Sequence, residues 1–197
     1  MGTNCAPLLA DLSLRSYEAS IIEGILKKNE KKLTRSFNFT FRYIDYVFSL
    51  NNCKFGDFID HIYPIEIEIK DTTDTARYAS YLDLHMQHDL RLRKKLYDKR
   101  DDFNFPIVNF PFICSNIPAA PAYRVYISQL IQYSRACGSY HDFLDRSLLL
   151  IMKLVNQGFL VVKLKSSFRT FYGRHHDLVN RYGISVSQMT TDMFHWS

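Results

Sequence analysis

The sequence predicts an α+β protein in two parts, with strands and helices over residues 1–114 and helices alone over residues 115–197. Runs of alternating apolar and polar residues indicate strands in the first part, whereas apolar residues at helical spacing dominate the second. The proline-rich segment SNIPAAP, at residues 115–121, marks the boundary between them. Hydrophobic residues make up 47% of the 197 residues, which is enough for a folded chain with a substantial core.

The stretch SFNFTFRYIDYVFSL, at residues 36–50, organises the first part. Aromatic side chains alternate with polar ones over its first half, at Phe37, Phe39, Phe41 and Tyr43. Because this alternation is typical of a half-buried strand and a second apolar run follows at once, we expect a hairpin with Ile44 and Asp45 at its tip. A turn aspartate usually bonds its own backbone, but one held rigidly at a hairpin tip can also bind a hard cation. The residues alone leave both roles of Asp45 open.

Other patterns place the remaining elements of the first part. Helices are predicted over residues 7–28 and 55–62, and the apolar stripe of the longer one is expected to be core. Strands are predicted over residues 65–69, 81–88 and 91–97, the second with Leu82, Leu84 and Met86 on one face. The last strand carries cations on the opposite face from Leu92 and Leu96. These cations suit a phosphate backbone, or they prevent edge pairing of a bare strand.

The second part is predicted to contain three helices and most of the positive charge. The helices span residues 122–134, residues from the Ser139 N-cap to a C-terminal Gly158, and about 163–182. Residues 120–197 contain 9 Lys and Arg against 4 Asp and Glu, whereas residues 1–119 contain 16 of each. This excess predicts a polyanionic partner, most simply nucleic acid, although the same residues could form an ordinary solvated surface. The candidate phosphate contacts are Arg124, Arg135, Lys163, Lys165, Arg169, Arg174 and Arg181.

Several stretches together resemble one known family. The segment MGTNCAPLLADL at residues 1–12 precedes the box RYID at residues 42–45 by a fitting distance. The later stretches SYLDLHMQHDLRLRKKLYDKRDDFNFP and SNIPAAPAYRVYISQLIQYSRACGSY extend the match, so that it covers essentially the whole chain. These motifs resemble the reverse transcriptases of Penelope-like retroelements, which are RNA-directed DNA polymerases.

The resemblance implies a role for each part of the chain. Residues 1–114 would be a partial palm and residues 115–197 a thumb, which binds an RNA/DNA hybrid or duplex. Gly2 and Pro7 would flank the template and nucleotide site, and Mg²⁺ would be the cofactor. The ligand implied for Mg²⁺ is Asp45, within a degenerate catalytic box of Tyr43, Ile44, Asp45 and Tyr46.

Two departures from the family pattern bear on activity. The family box has a second carboxylate where this chain has Tyr46, and a further catalytic aspartate of the family lies upstream of the glycine motif that begins at Gly2. We therefore expect a polymerase fragment that is inactive alone and does not bind Mg²⁺ productively. Two alternatives stay open, namely a non-catalytic nucleic-acid-binding protein with a helix-turn-helix-like C-terminal module, and a decayed element product without activity.

The cysteines and the hydropathy of the sequence indicate the cellular compartment of the protein. Four cysteines lie far apart, at Cys5, Cys53, Cys114 and Cys137, without the spacing of a metal site or a disulfide framework. The longest apolar run, residues 148–152, is too short to span a bilayer, and no signal peptide is expected. No motif indicates a small-molecule cofactor. The prediction is an intracellular protein, nuclear or cytoplasmic, with no membrane partner.

Overall fold

The computed structural model describes residues 5–73, 78–88, 92–103, 110–116 and 118–195. Within these residues the chain combines eight α-helices with two small antiparallel sheets, which confirms the predicted α+β class. The chain divides into two compact units, residues 1–72 and residues 73–197. The boundary that the sequence suggests, between residues 114 and 115, lies inside the second unit.

Unit one contains three helices and the expected hairpin. Its elements are α1 Ala6–Lys27, α2 Lys31–Ser36, β1 Thr40–Tyr43, β2 Tyr46–Ser49 and α3 Phe55–Ile62. Strands β1 and β2 pair in a tight register in which Tyr43 lies opposite Tyr46, so Ile44 and Asp45 form the turn. The predictions of the hairpin and of helices over residues 7–28 and 55–62 are therefore confirmed.

Two predicted strand segments of unit one are wrong. Residues 37–39 form a 3-10 turn, which places the Phe37 ring edge-on to Phe58 with centroids 5.6 Å apart. Residues 65–69 form no strand, because the Ile67 amide donates to the Pro64 carbonyl and closes a turn. Ile65 consequently remains 97% exposed. Alternation alone does not make a strand where no neighbouring strand pairs with it.

Several apolar side chains of unit one that were predicted to be core are exposed. Along α1 the leucines Leu8, Leu9 and Leu12 are more than half exposed, and Ile25 is the buried residue of the helix. In β1, Phe41 and Tyr43 are also more than half exposed, whereas Thr40 and Arg42 are partly buried. Periodicity therefore identified the apolar residues of α1 and β1 without predicting which of them are buried.

Unit two packs a sheet and five helices together. The sheet is antiparallel in the order β3 Tyr78–Tyr81, β4 Leu84–His88 and β5 Leu92–Leu96. The helices are α4 Ala119–Ala136, α5 Tyr140–Asn156, α6 Val161–Arg174, α7 His176–Asn180 and α8 Val186–Phe194. As predicted, the Ser139 hydroxyl accepts from the Asp142 amide and caps α5, and Gly158 takes a positive φ of 87° beyond its end.

Two predictions for unit two need correction. Leu82 lies in the β3–β4 turn with a φ of 55°, rather than within a strand over residues 81–88. The helix predicted over residues 163–182 is broken at His175, whose dihedral angles of −131° and 33° are not helical. The break separates α7 from α6, and Val179 of α7 is completely buried in the shared core.

Helix α4 lies at the centre of one hydrophobic core. Its Tyr126 and Leu130 are fully buried, and they belong to one cluster with residues of every other helix of the unit. The fully buried members from those helices are Phe143, Ile151, Leu154, Leu164, Phe168, Phe171, Val179, Met189 and Met193. Leu96 of β5 belongs to the same cluster and is 5% exposed. The sheet and the helices therefore share a core.

The edge of β5 is joined to the C-terminal end of α4. The Gly138 amide donates to the Lys94 carbonyl at 2.8 Å, and the Arg146 guanidinium donates to the Leu96 carbonyl at 3.1 Å. In return, Lys94 Nζ donates to the Arg135 carbonyl at 3.1 Å. At these positions β5 is not a bare edge strand, because its carbonyls accept hydrogen bonds from the α4–α5 turn and from α5.

We predict that this joint does not tolerate a side chain at position 138. A Cβ there would lie 3.1 Å from the Lys94 carbonyl oxygen, so Gly138→Ala should lower the free energy of unfolding by about 1 kcal/mol. Gly173 is the matched control, since nothing lies within 4 Å of its Cβ position in α6. Gly173→Ala should raise the free energy of unfolding by roughly 0.5 kcal/mol in urea titrations. Equal effects of both substitutions would contradict the close approach.

Candidate functional site

The hairpin of unit one presents Asp45 to solvent. Asp45 is exposed at the two-residue turn, as predicted, and Ile44 before it has a φ of 52°. A left-handed conformation is rare for a β-branched residue and costs about 1–2 kcal/mol. The tip is thus a strained turn that holds one carboxylate outward.

The residues at this tip do not supply the paired carboxylates that the resemblance implies for Mg²⁺. Tyr46 begins β2 directly after Asp45, and its side chain is exposed beside it. In the part of the chain that the structure describes, no three His, Cys, Asp or Glu side chains are grouped to hold a metal. Gly2 lies outside the described residues, and Pro7 occupies the exposed first turn of α1.

Arg42, three residues before Asp45, has a structural role that the sequence reasoning missed. Its guanidinium donates to Glu18 at 2.6 Å and to Asp11 at 2.7 Å, both on α1, and its side chain is only 9% exposed. Burial alone would lower the pKa of Arg42, but these carboxylates raise it above its ordinary value. The Tyr63 hydroxyl, just after α3, also donates to Glu18 at 2.6 Å, and burial followed by this bond raises the pKa of Tyr63.

The basic residues of α6 lie on two flanks rather than one. At about 100° per residue, Lys163 and Arg174 share one side of the helix, whereas Lys165 and Arg169 share nearly the opposite side. Contacts support this division: Lys163 Nζ lies 5.7 Å from the Tyr123 ring centroid on α4, and Lys165 Nζ lies 5.6 Å from that of Phe194 on α8. The densest basic cluster of residues 120–197 is therefore not one patch.

Arg181 is engaged inside the unit. Its guanidinium donates to the Ser134 carbonyl and, at 2.7 Å, to the Cys137 carbonyl at the end of α4. It also lies over the Tyr182 ring, 4.9 Å from the centroid, and the Tyr182 hydroxyl donates to the Cys137 carbonyl. Arg181 was predicted to contact phosphate, and the structure places it beside the C-terminal end of α4, where cations are stabilising.

Arg124 and Arg135 line a groove between α4 and the sheet. The groove has a volume of about 620 Å³ and also includes Lys94 of β5 and Asp83 of the β3–β4 turn. Along α4 its residues recur at positions 124, 127, 128, 131, 132 and 135, which is one helical face. This face points away from the buried face that carries Tyr126 and Leu130. Helical spacing in the sequence places these residues on one face, although it carries both polar residues and the apolar Ile127 and Ile131.

Three further properties are the membrane-spanning potential of the described helices, the environment of the cysteines and the similarity of the sequence to known proteins. None of the helices described is both long and apolar enough to cross a membrane. The cysteines Cys5, Cys53 and Cys114 are exposed thiols, and Cys137 is a buried one whose pKa is raised mainly by burial. No protein-family model matches the sequence, and the comparisons with curated proteins and with solved structures likewise give no match.

We predict that Arg42 stabilises unit one, whereas Asp45 does not. Arg42→Leu would leave Asp11 and Glu18 without their cation and should lower the free energy of unfolding by about 2 kcal/mol. Asp45→Asn removes an exposed charge from the same hairpin and should change the free energy of unfolding by less than about 0.5 kcal/mol. Urea titration followed by circular dichroism measures both. A larger loss from Asp45→Asn than from Arg42→Leu would contradict these assignments.

Proposed function

We propose that the chain is a nucleic-acid-binding portion of a reverse transcriptase of the Penelope-like type, without polymerase activity of its own. Residues 73–197 would contact the backbone phosphates of an RNA/DNA hybrid or duplex. The resemblance of the sequence supports the family, and the hairpin with Asp45 at its tip is consistent with the box that the resemblance implies. One carboxylate beside Tyr46 provides no basis for a catalytic step, so the proposal is limited to binding.

The observation that carries the proposal is the division of charge between the two units. Residues 73–197 contain 16 Lys and Arg against 10 Asp and Glu, whereas residues 1–72 contain 9 against 10. The excess thus belongs entirely to the unit that the resemblance assigns to the thumb and the adjoining palm. A positive field on one compact unit attracts a polyanion whatever its sequence.

Exposed cations are available on one face of β5 and on both flanks of α6. Arg93 and Lys95 lie on the face of β5 opposite to Lys94, and Arg169 and Arg174 are exposed on α6. Among the described residues, no ion pair with a carboxylate neutralises these four side chains. Each can therefore contact a phosphate without first losing a salt bridge to a carboxylate of the described residues. Such contacts give affinity but little sequence preference.

The helix-turn-helix alternative is less favoured by the geometry. The short turn between α4 and α5 contains Gly138, whose amide bonds the Lys94 carbonyl of β5. That turn is therefore packed against the sheet. A separate helix-turn-helix module would instead have its turn and both helices independent of the sheet. A decayed product without activity stays an alternative, and it predicts no salt-dependent binding.

We predict salt-dependent binding of the full chain to a fluorescein-labelled RNA/DNA hybrid, measured by anisotropy. Affinity should fall with salt, by about 0.9 log units per log unit of salt for each phosphate contact. Lys163→Gln/Arg174→Gln and Lys165→Gln/Arg169→Gln remove equal charge from opposite flanks of α6. Because one duplex surface cannot contact both flanks at once, one pair should reduce the slope by about 2 and the other by less than about 1.

The controls separate binding from chemistry and from nonspecific loss of charge. The same preparations should extend no primer with Mg²⁺ or Mn²⁺, and extension that disappears in Asp45→Ala would show that the chain is a polymerase. Binding that is undetectable, or that does not respond to salt, would contradict the proposed function. Circular dichroism of both double variants checks that the fold is intact.

A further inference from the structure

The groove between α4 and the sheet has an aliphatic floor. Ile127 and Ile131 of α4 face Leu84 and Leu96 of the sheet across it, and all four pack within or against the main core. Both isoleucines are partly exposed, so apolar surface is available to a ligand. The volume of about 620 Å³ lies within the range of ligand-binding clefts in proteins.

The rim of the groove is mainly positive. Arg124 and Arg135 lie eleven residues apart on one face of α4, which separates their backbones by about 16 Å along the axis. Lys94 lies close to Arg135, because its Nζ donates to the Arg135 carbonyl. Asp83 is the single carboxylate among the described lining residues. Three cations around an aliphatic floor are complementary to an anion with an aliphatic body.

The polar groups between the cations suit a peptide chain. Ser128 and Gln132 lie between Arg124 and Arg135 on the same face, and the glutamine amide can both donate and accept. An extended peptide offers one N–H and one C=O per residue, and about five residues span 16 Å. A fatty acid carries one carboxylate and could not engage cations at both ends of the groove.

Nucleic acid is less suited to this groove than to the outer surfaces of the unit. None of the described lining residues is aromatic, whereas single-stranded bases bind most strongly by stacking on aromatic rings. We propose that the groove between α4 and the sheet is a docking site for an acidic peptide segment with aliphatic side chains, carried by a partner protein. This goes beyond the proposed function and does not depend on it.

The test uses the full chain and a fluorescein-labelled eight-residue peptide of alternating leucine and glutamate. This peptide should bind at least about tenfold more tightly than the matching leucine–lysine and serine–glutamate peptides. Arg124→Glu/Arg135→Glu should weaken its binding by at least about tenfold. The matched control, Arg169→Glu/Arg174→Glu, changes the net charge equally outside the groove and should alter binding by less than about twofold.

The outcomes separate this inference from nucleic-acid binding. An excess of unlabelled RNA/DNA hybrid should not displace the peptide. Equal binding of the three peptides, or equal loss in the two double variants, would overturn the inference. So would a groove variant that loses affinity for the hybrid while the leucine–glutamate peptide fails to bind the wild-type chain, since the groove would then belong to the nucleic-acid surface. Failure of hybrid binding alone would overturn only the proposed function.

Discussion

The C-terminal end of α4 is the constraint on which the second unit depends. The last carbonyls of a helix have no partners within it and carry partial negative charge. Here Lys94 from β5 and Arg181 from beyond α7 donate to the carbonyls of Ser134, Arg135 and Cys137. Two cations of the more basic unit therefore donate to carbonyls at a helix end, while both residues remain exposed. Lys94 precedes α4 in the chain and Arg181 follows it. Lys94 therefore attaches the sheet, and Arg181 the last helices, to the same end of α4.

This attachment also creates the groove. Since Lys94 is held beside Arg135 and Gly138 contacts the Lys94 backbone, β5 lies alongside α4 with one side chain of its cationic stretch directed towards α4. Arg93 and Lys95 then face outward by the alternation of the strand. One cationic strand thus contributes to two surfaces of different chemistry. That division is the physical basis for proposing both a phosphate-binding surface and a separate peptide groove.

Local features were predictable from the sequence, whereas burial was not. The hairpin tip at Asp45, the Ser139 cap and Gly158 follow from residues close in sequence. The burial of Arg42 instead of Phe41 could not be predicted, because alternation separates two faces without saying which one a distant helix will cover. The carboxylates that stabilise Arg42 lie at least 24 residues away on α1, a separation over which no sequence pattern acts.

The candidate site shows the same limit. Spacing along α6 predicts the two flanks of its cations once the helix bounds are known, and the α4 face could be read from residues 124–135 in the same way. The role of Arg181 could not be predicted from the sequence. Its acceptors lie 44 and 47 residues earlier, at a helix end that becomes adjacent to Arg181 only after folding. Charge counted along the chain therefore does not show that Arg181 is bound to a helix end.

Native-state hydrogen exchange tests most directly whether the end of α4 joins the sheet and the helices into one unit. The amides of the β4–β5 ladder and those in the middle of α4 should exchange with opening free energies equal within about 1 kcal/mol, because both would require unfolding of the whole unit. Gradual addition of denaturant should bring the two sets to a common transition. A β4–β5 ladder that opens at much lower free energy, while α4 stays protected, would show that the sheet is an independent appendage and would contradict the account.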